Sequence, residues 1–143
     1  MALDSFPAYS AFACGNLGLA YNEIAFRHFL ALERRRAERA RRALLLLLVH
    51  FKMSRASRAP LGPRASGQIF NVLGACVREV DFVGWHREGK VAGAVVSIGG
   101  GAPTDVQRLL KERVGKALGA QLPRDQMAQL RMRVVRLGGK VSH

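Results

Sequence analysis

Three features of this 143-residue chain predict an α+β fold: a two-layer sandwich of a mainly antiparallel sheet with helices packed on it. An amphipathic helix pattern at 67–78 leads straight into an apolar strand–turn–strand unit. A second amphipathic pattern follows that unit, and an unbroken apolar run, Ala43–Phe51, precedes it. Helices and strands alternating about a central hairpin give the order α-β-α-β-β-α-β, and each helix then has a sheet on which to bury its apolar stripe.

Residues 1–20 hold Pro7, Gly15 and Gly18 among small apolar residues with no sustained period, which predicts an extended, loosely structured lead-in. A helix is expected over 21–42. Asn22 is placed to cap it and Glu23 sits in its first turn, where a carboxylate suits the helix dipole. Phe26, Phe29, Leu30, Ala37 and Ala40 approximate one face, and arginines crowd the rest. The run Ala43–Phe51 does not alternate; its length and position favour a strand covered on both sides, with a continuing helix as the competing reading because leucine is a mediocre strand former. Residues 53–66, with two prolines and several serines and arginines, read as a loop.

In the next helix, 67–78, Ile69, Val72, Leu73, Cys76 and Val77 form a full apolar stripe. Strands follow at 82–87 and 90–98, joined near Glu88-Gly89, where glycine supplies the positive φ of a short turn. Alternation sets Phe82, Gly84 and His86 on one face, Val83, Trp85 and Arg87 on the other. Trp85 is expected in the core. Thr104 is expected to cap the next helix, with Asp105 in its first turn, and Gly119 to close it. Beyond a linker through Pro123, basic and apolar residues alternate over 131–137 like an edge strand, before a tail at 138–143.

Composition bounds the function. The 49% hydrophobic content excludes a wholly disordered chain, and the net charge of +13, mostly arginine, suits anionic partners. Cys14 and Cys76 lack zinc-site spacing and are too few for a disulfide framework, so Cys76 reads as a buried free thiol. No secretory leader is read at the N-terminus, and the apolar run at 43–49 is too short to span a bilayer. A soluble cytoplasmic protein is expected. The four histidines, His28, His50, His86 and His143, fall on separate elements without a His-x-x-x-His pair, so no metal site is expected. Gly99-Gly100-Gly101 lacks the lysine of a phosphate loop and reads as a flexible connection.

One constellation carries chemistry. Arg78-x-x-Asp81 stands at a helix-to-strand junction, where an arginine fork can grip a phosphate or a guanine edge. The aspartate can accept from guanine nitrogens. A local ion pair pinning the hairpin to the helix is the structural alternative.

These residues, in this order, resemble the centre of a GGDEF domain, the fold that makes cyclic di-GMP. Glu33-x-x-Arg36-x-x-Arg39 before an apolar strand fits the family pattern. So does the five-residue gap, 82–86, between Arg78-x-x-Asp81 and the turn that carries the family signature. Gly84-Trp85 before the turn matches a divergent, signature-free branch. The resemblance covers about residues 21–137 and implies a nucleotide-cyclase, ferredoxin-like architecture. It implies that Arg78 and Asp81 correspond to the product-binding inhibitory motif, with cyclic di-GMP as candidate ligand.

The departures matter more. In place of the signature stands Arg87-Glu88-Gly89-Lys90-Val91, with a single carboxylate. Where active members hold magnesium with an aspartate near the end of the first strand, this chain has Leu47-Leu48-Val49-His50-Phe51-Lys52. Magnesium demands oxygen ligands, and phosphoryl transfer demands the metal. The expectation is therefore a catalytically inactive regulatory or scaffolding domain, with no catalytic residue, metal or cofactor, acting through a protein partner. The alternative is a basic nucleic-acid-binding module, favoured by charge but lacking the interleaved strand aromatics that stack bases.

Overall fold

A computed structural model describes residues 11–13, 19–51, 63–76, 80–98 and 105–138 of the chain. Among the described residues, six strands form one sheet in the order β1-β2-β4-β5-β3-β6. They are β1 (Ala11–Ala13), β2 (Leu19–Tyr21), β3 (Ala43–Phe51), β4 (Val80–Arg87), β5 (Val91–Ile98) and β6 (Leu130–Gly138). The helices are α1 (Glu23–Ala40), α2 (Pro63–Cys76), α3 (Val106–Gln121) and a single turn, α4 (Arg124–Met127). All neighbouring strands pair antiparallel except β2 with β4. The architecture is α+β, with helices packed on a mainly antiparallel sheet, as the sequence predicts.

The helices divide between the two faces of the sheet. On one, Phe26 and Ala37 of α1 pack with Leu44, Leu46, Leu48, Val91 and Val95. On the other, Ile69, Phe70 and Leu73 of α2 and Leu110, Val114 and Leu118 of α3 pack with Leu45, Leu47, Val49 and Trp85. This division explains why β3 does not alternate in sequence. It lies between β5 and β6 with apolar cover above and below, so odd and even residues alike are buried. β6 occupies the far edge, as its basic alternation predicts.

Asn22 caps α1 as expected: its Oδ1 accepts from Ala25 N at 2.9 Å. The helix ends two residues earlier than expected, because Arg41 turns into the left-handed region at φ 56° and its amide caps the last carbonyls. Ala40, expected on the apolar face, is exposed, while Ala25 is buried. α2 begins at Pro63, inside the expected loop, and proline suits a first helical position because its missing N–H is not needed there. At α3 the N-cap position belongs to Asp105, and the helix continues through Gly119 to Gln121. Thr104, the tail at 139–143 and the glycine run at 99–101 lie outside the described residues. The lead-in supplies β1 and β2, which extend the sheet beyond the strands read from the sequence. No described helix is long and apolar enough to cross a membrane.

Candidate functional site

The hairpin turn between β4 and β5 is built as the sequence predicts. Lys90 N donates to Arg87 O at 2.9 Å, and Gly89 takes φ 73°. Beside it, Phe51 N at the end of β3 donates to Lys90 O at 2.9 Å. The turn and the end of β3, the two places where a GGDEF-type active site would keep its carboxylates, are thus neighbours.

α1 fastens the turn. Glu88 N donates to Glu23 Oε1 at 2.7 Å, and Glu23 N donates to Glu88 Oε1 at 3.0 Å. The two residues cap each other across the chain, so Glu88 satisfies a free amide of the first helical turn and lies against the positive end of the helix dipole. Arg27 Nε donates to His86 O at 2.9 Å and lies 3.5 Å from Glu23 Oε2. The only carboxylate of the turn is therefore engaged in a structural contact. Sequence reading placed Glu23 at the dipole but missed this partner, because 65 residues separate the two.

The end of β3 offers no hard-cation ligands. Leu47, Leu48 and Val49 are 1%, 6% and 2% exposed and belong to the two apolar cores. His50 follows them, and burial lowers its pKa, helped by the nearby Arg133, Arg131 and Arg87 charges. His86 is lowered too, first by burial and then by Arg27 and Arg87, with Glu23 opposing. Among the described residues, no three His, Cys, Asp or Glu side chains converge as a metal site would require.

Arg78 lies outside the described residues, and of Asp81 only the backbone is described. That backbone is informative. β4 pairs Val80 with Val96 and Phe82 with Val95, so Asp81 is the extra residue of a β-bulge. Asp81 and Glu88 stand near opposite ends of β4, about 23 Å apart at strand rise. Asp81 and the turn are therefore separate places on the molecule.

A second register shift, between Trp85 and Arg87, changes a sequence expectation. Trp85 pairs with Ala92 and Arg87 with Val91, leaving His86 as the extra residue. Strict alternation would put Arg87 on the face of Trp85. The bulge instead pairs it with Val91, which belongs to the α1-side core. Trp85 itself is 6% exposed, with its ring edge-on to Phe70 at 5.0 Å. The core reading of Trp85 holds.

Structural comparison over most of the chain shows which fold this is. The chain has the fold of a GGDEF domain. It is similar in structure to a DGC protein from Thermotoga maritima, at TM-score 0.57 and 17% identity over 82% of this chain and 79% of the other. It is likewise similar to the FimX GGDEF domain from Pseudomonas aeruginosa, at TM-score 0.57 and 18% identity over 92% of this chain and 85% of the other. No family sequence model matches, and no curated protein matches by sequence. The GGDEF-like fold is thus retained at an identity where individual side chains have diverged.

Proposed function

We propose that this chain, over residues 21–137, is a catalytically inactive GGDEF-like domain with a regulatory or scaffolding role in the cytoplasm. The observation that carries the reading is the placement of Glu88. The one carboxylate in the turn is held by the Glu23 amide at the start of α1, while Leu47, Leu48 and Val49 towards the end of β3 are buried apolar residues. A magnesium ion there would find apolar side chains where it needs oxygen donors. A fold that no longer seats the metal can still bind. Its output is contact with a protein partner.

Cyclic di-GMP is the ligand we assign to Arg78 and Asp81. The five-residue spacing to the turn, the helix-to-strand position and the bulge at Asp81 support this. Two assays test the reading. Incubation of the purified protein with GTP and magnesium should yield no cyclic di-GMP, and detectable product would end the proposal of inactivity. Calorimetric titration with cyclic di-GMP should give saturable heat that disappears in Arg78→Ala, and an absence of heat with folded protein would remove the ligand while leaving the inactive domain in place.

Nucleic-acid binding has the weaker support. An RNA platform needs an open sheet face with aromatic residues, and here helices pack on both faces.

A further inference from the structure

Strand register brings together basic side chains that sequence spacing keeps apart. His50 on β3 pairs with Arg131 on β6 and with Val91 on β5, and Val91 pairs with Arg87 on β4. Arg131, His50, Val91 and Arg87 therefore form one row across four strands at the hairpin end of the sheet. Side chains in register share a face, and Val91 fixes it as the face of α1. Arg133, two residues along β6, lies on the same side, beside Leu48. The bulge adds His86, whose ring stands edge-on to Phe26 at 6.2 Å.

The row is unbalanced in charge. β3, β5 and β6 carry no acidic residue. Among the described residues, none of the ion pairs involves Arg87, Arg131 or Arg133, and all three are exposed. The two nearby carboxylates, Glu23 and Glu88, are engaged with each other's backbone amides. Three strand spacings separate Arg131 from Arg87, about 14 Å. That span exceeds a single phosphate but suits a short run of them, and arginine forks match phosphate oxygens bidentately.

We infer that this row is a metal-independent site for a small anion carrying several linked phosphates, held by Arg87, Arg131 and Arg133, with His50 between them and His86 beside Arg87 on β4. It lies on the opposite face of the sheet from Leu47 and Val49, and at the other end of β4 from Asp81. It is independent of the proposed cyclic di-GMP contact. Arginines supply here the countercharge that a divalent ion supplies elsewhere.

Inorganic tripolyphosphate is the probe, titrated calorimetrically into the full chain with EDTA at about 150 mM salt, where diffuse charge attraction is largely screened. One-to-one saturable binding is expected. The pair Arg131→Ala with Arg133→Ala should weaken it at least about tenfold, the loss of one strong charged contact. The pair Lys111→Ala with Lys116→Ala, exposed on α3, removes the same charge from the other side of the sheet and should change affinity less than about twofold. Arg78→Ala should leave tripolyphosphate binding unchanged, which separates this site from the cyclic di-GMP reading. No saturable heat, dependence on magnesium, or equal loss in the two charge-matched pairs would overturn the inference. So would tighter binding of single-stranded RNA than of tripolyphosphate at equal phosphate concentration.

Discussion

The ring of Phe26 occupies the space that a side chain on Gly93 would need: a Cβ there would stand 2.7 Å from Phe26 Cζ. Gly93 pairs with Gly84 across β5 and β4, and a Cβ on Gly84 would stand 3.0 Å from Phe26 Cδ1 and 2.5 Å from Tyr21 O. Two paired glycines thus make the seat into which α1 presses its one fully buried ring. Strand interiors disfavour glycine, so its use here is explained by the close approach of ring and backbone.

Gly93→Ala should therefore destabilise the protein by about 1–3 kcal/mol through overpacking. Phe26→Leu in the same background should recover part of the loss, because the smaller side chain vacates the contested space. Urea unfolding of the single and double variants measures this. Additive losses would show that the two positions do not compete.

Trp85 is the chain's only tryptophan, so its fluorescence reports one place. Because it is buried against Phe70, emission should be blue-shifted and poorly quenched by iodide until the protein unfolds. Trp85→Ala should cost about 3–5 kcal/mol in urea melts, the usual loss for a large aromatic core residue.

Removing the Glu88 carboxylate should loosen the turn from α1. Glu88→Ala leaves the Glu23 amide without its acceptor, and a lost helix cap typically costs about 1 kcal/mol. Hydrogen exchange at the Glu23 amide should accelerate, while the far end of α1 keeps its protection. Unchanged exchange at Glu23 would mean that the contact does not persist in solution.

His50 and His86 set a pH dependence. Both have folded pKa values below the ordinary 6.5, so the unfolded chain binds more protons than the folded one in the window just below 6.5. Their contribution to stability is present above about pH 6.5 and is lost as pH falls through the lowered folded values. For His50 the causes are burial, then Arg133, Arg131 and Arg87. For His86 they are burial, Arg27 and Arg87, with Glu23 opposing and His50 adding a small repulsion. Urea melts at pH 5 and pH 8 should show lower stability in acid, with the difference reduced in His50→Gln combined with His86→Gln. A bound polyphosphate would favour the protonated imidazoles, so tripolyphosphate affinity should rise as pH falls.

Much of the fold was legible because local signals and burial agreed. The stripe of Ile69, Val72 and Leu73, the Asn22 cap, the positive φ of Gly89 and the unalternating leucines of β3 each follow from residue chemistry within a few positions. Errors arose where neighbours overrode local preference. Gly119 does not close α3, which runs on to Gln121. Arg87 leaves the face of Trp85 because a bulge at His86 resets the alternation, and nothing in the sequence marks that extra residue.

By itself the sequence determined the order of the elements α1, β3, α2, β4, β5, α3 and β6, the central hairpin and the apolar residues at the end of β3, since each is a matter of residue type and short-range spacing; β1, β2 and the single turn α4 were not legible in it. Tertiary structure alone decided that helices lie on both faces, that Glu23 and Glu88 cap each other, and that Arg131, His50 and Arg87 fall in one row. Those relationships depend on strand order and register. Register is set by the packing of the whole sheet against its helices, and residues dozens of positions apart become neighbours only once that packing is complete.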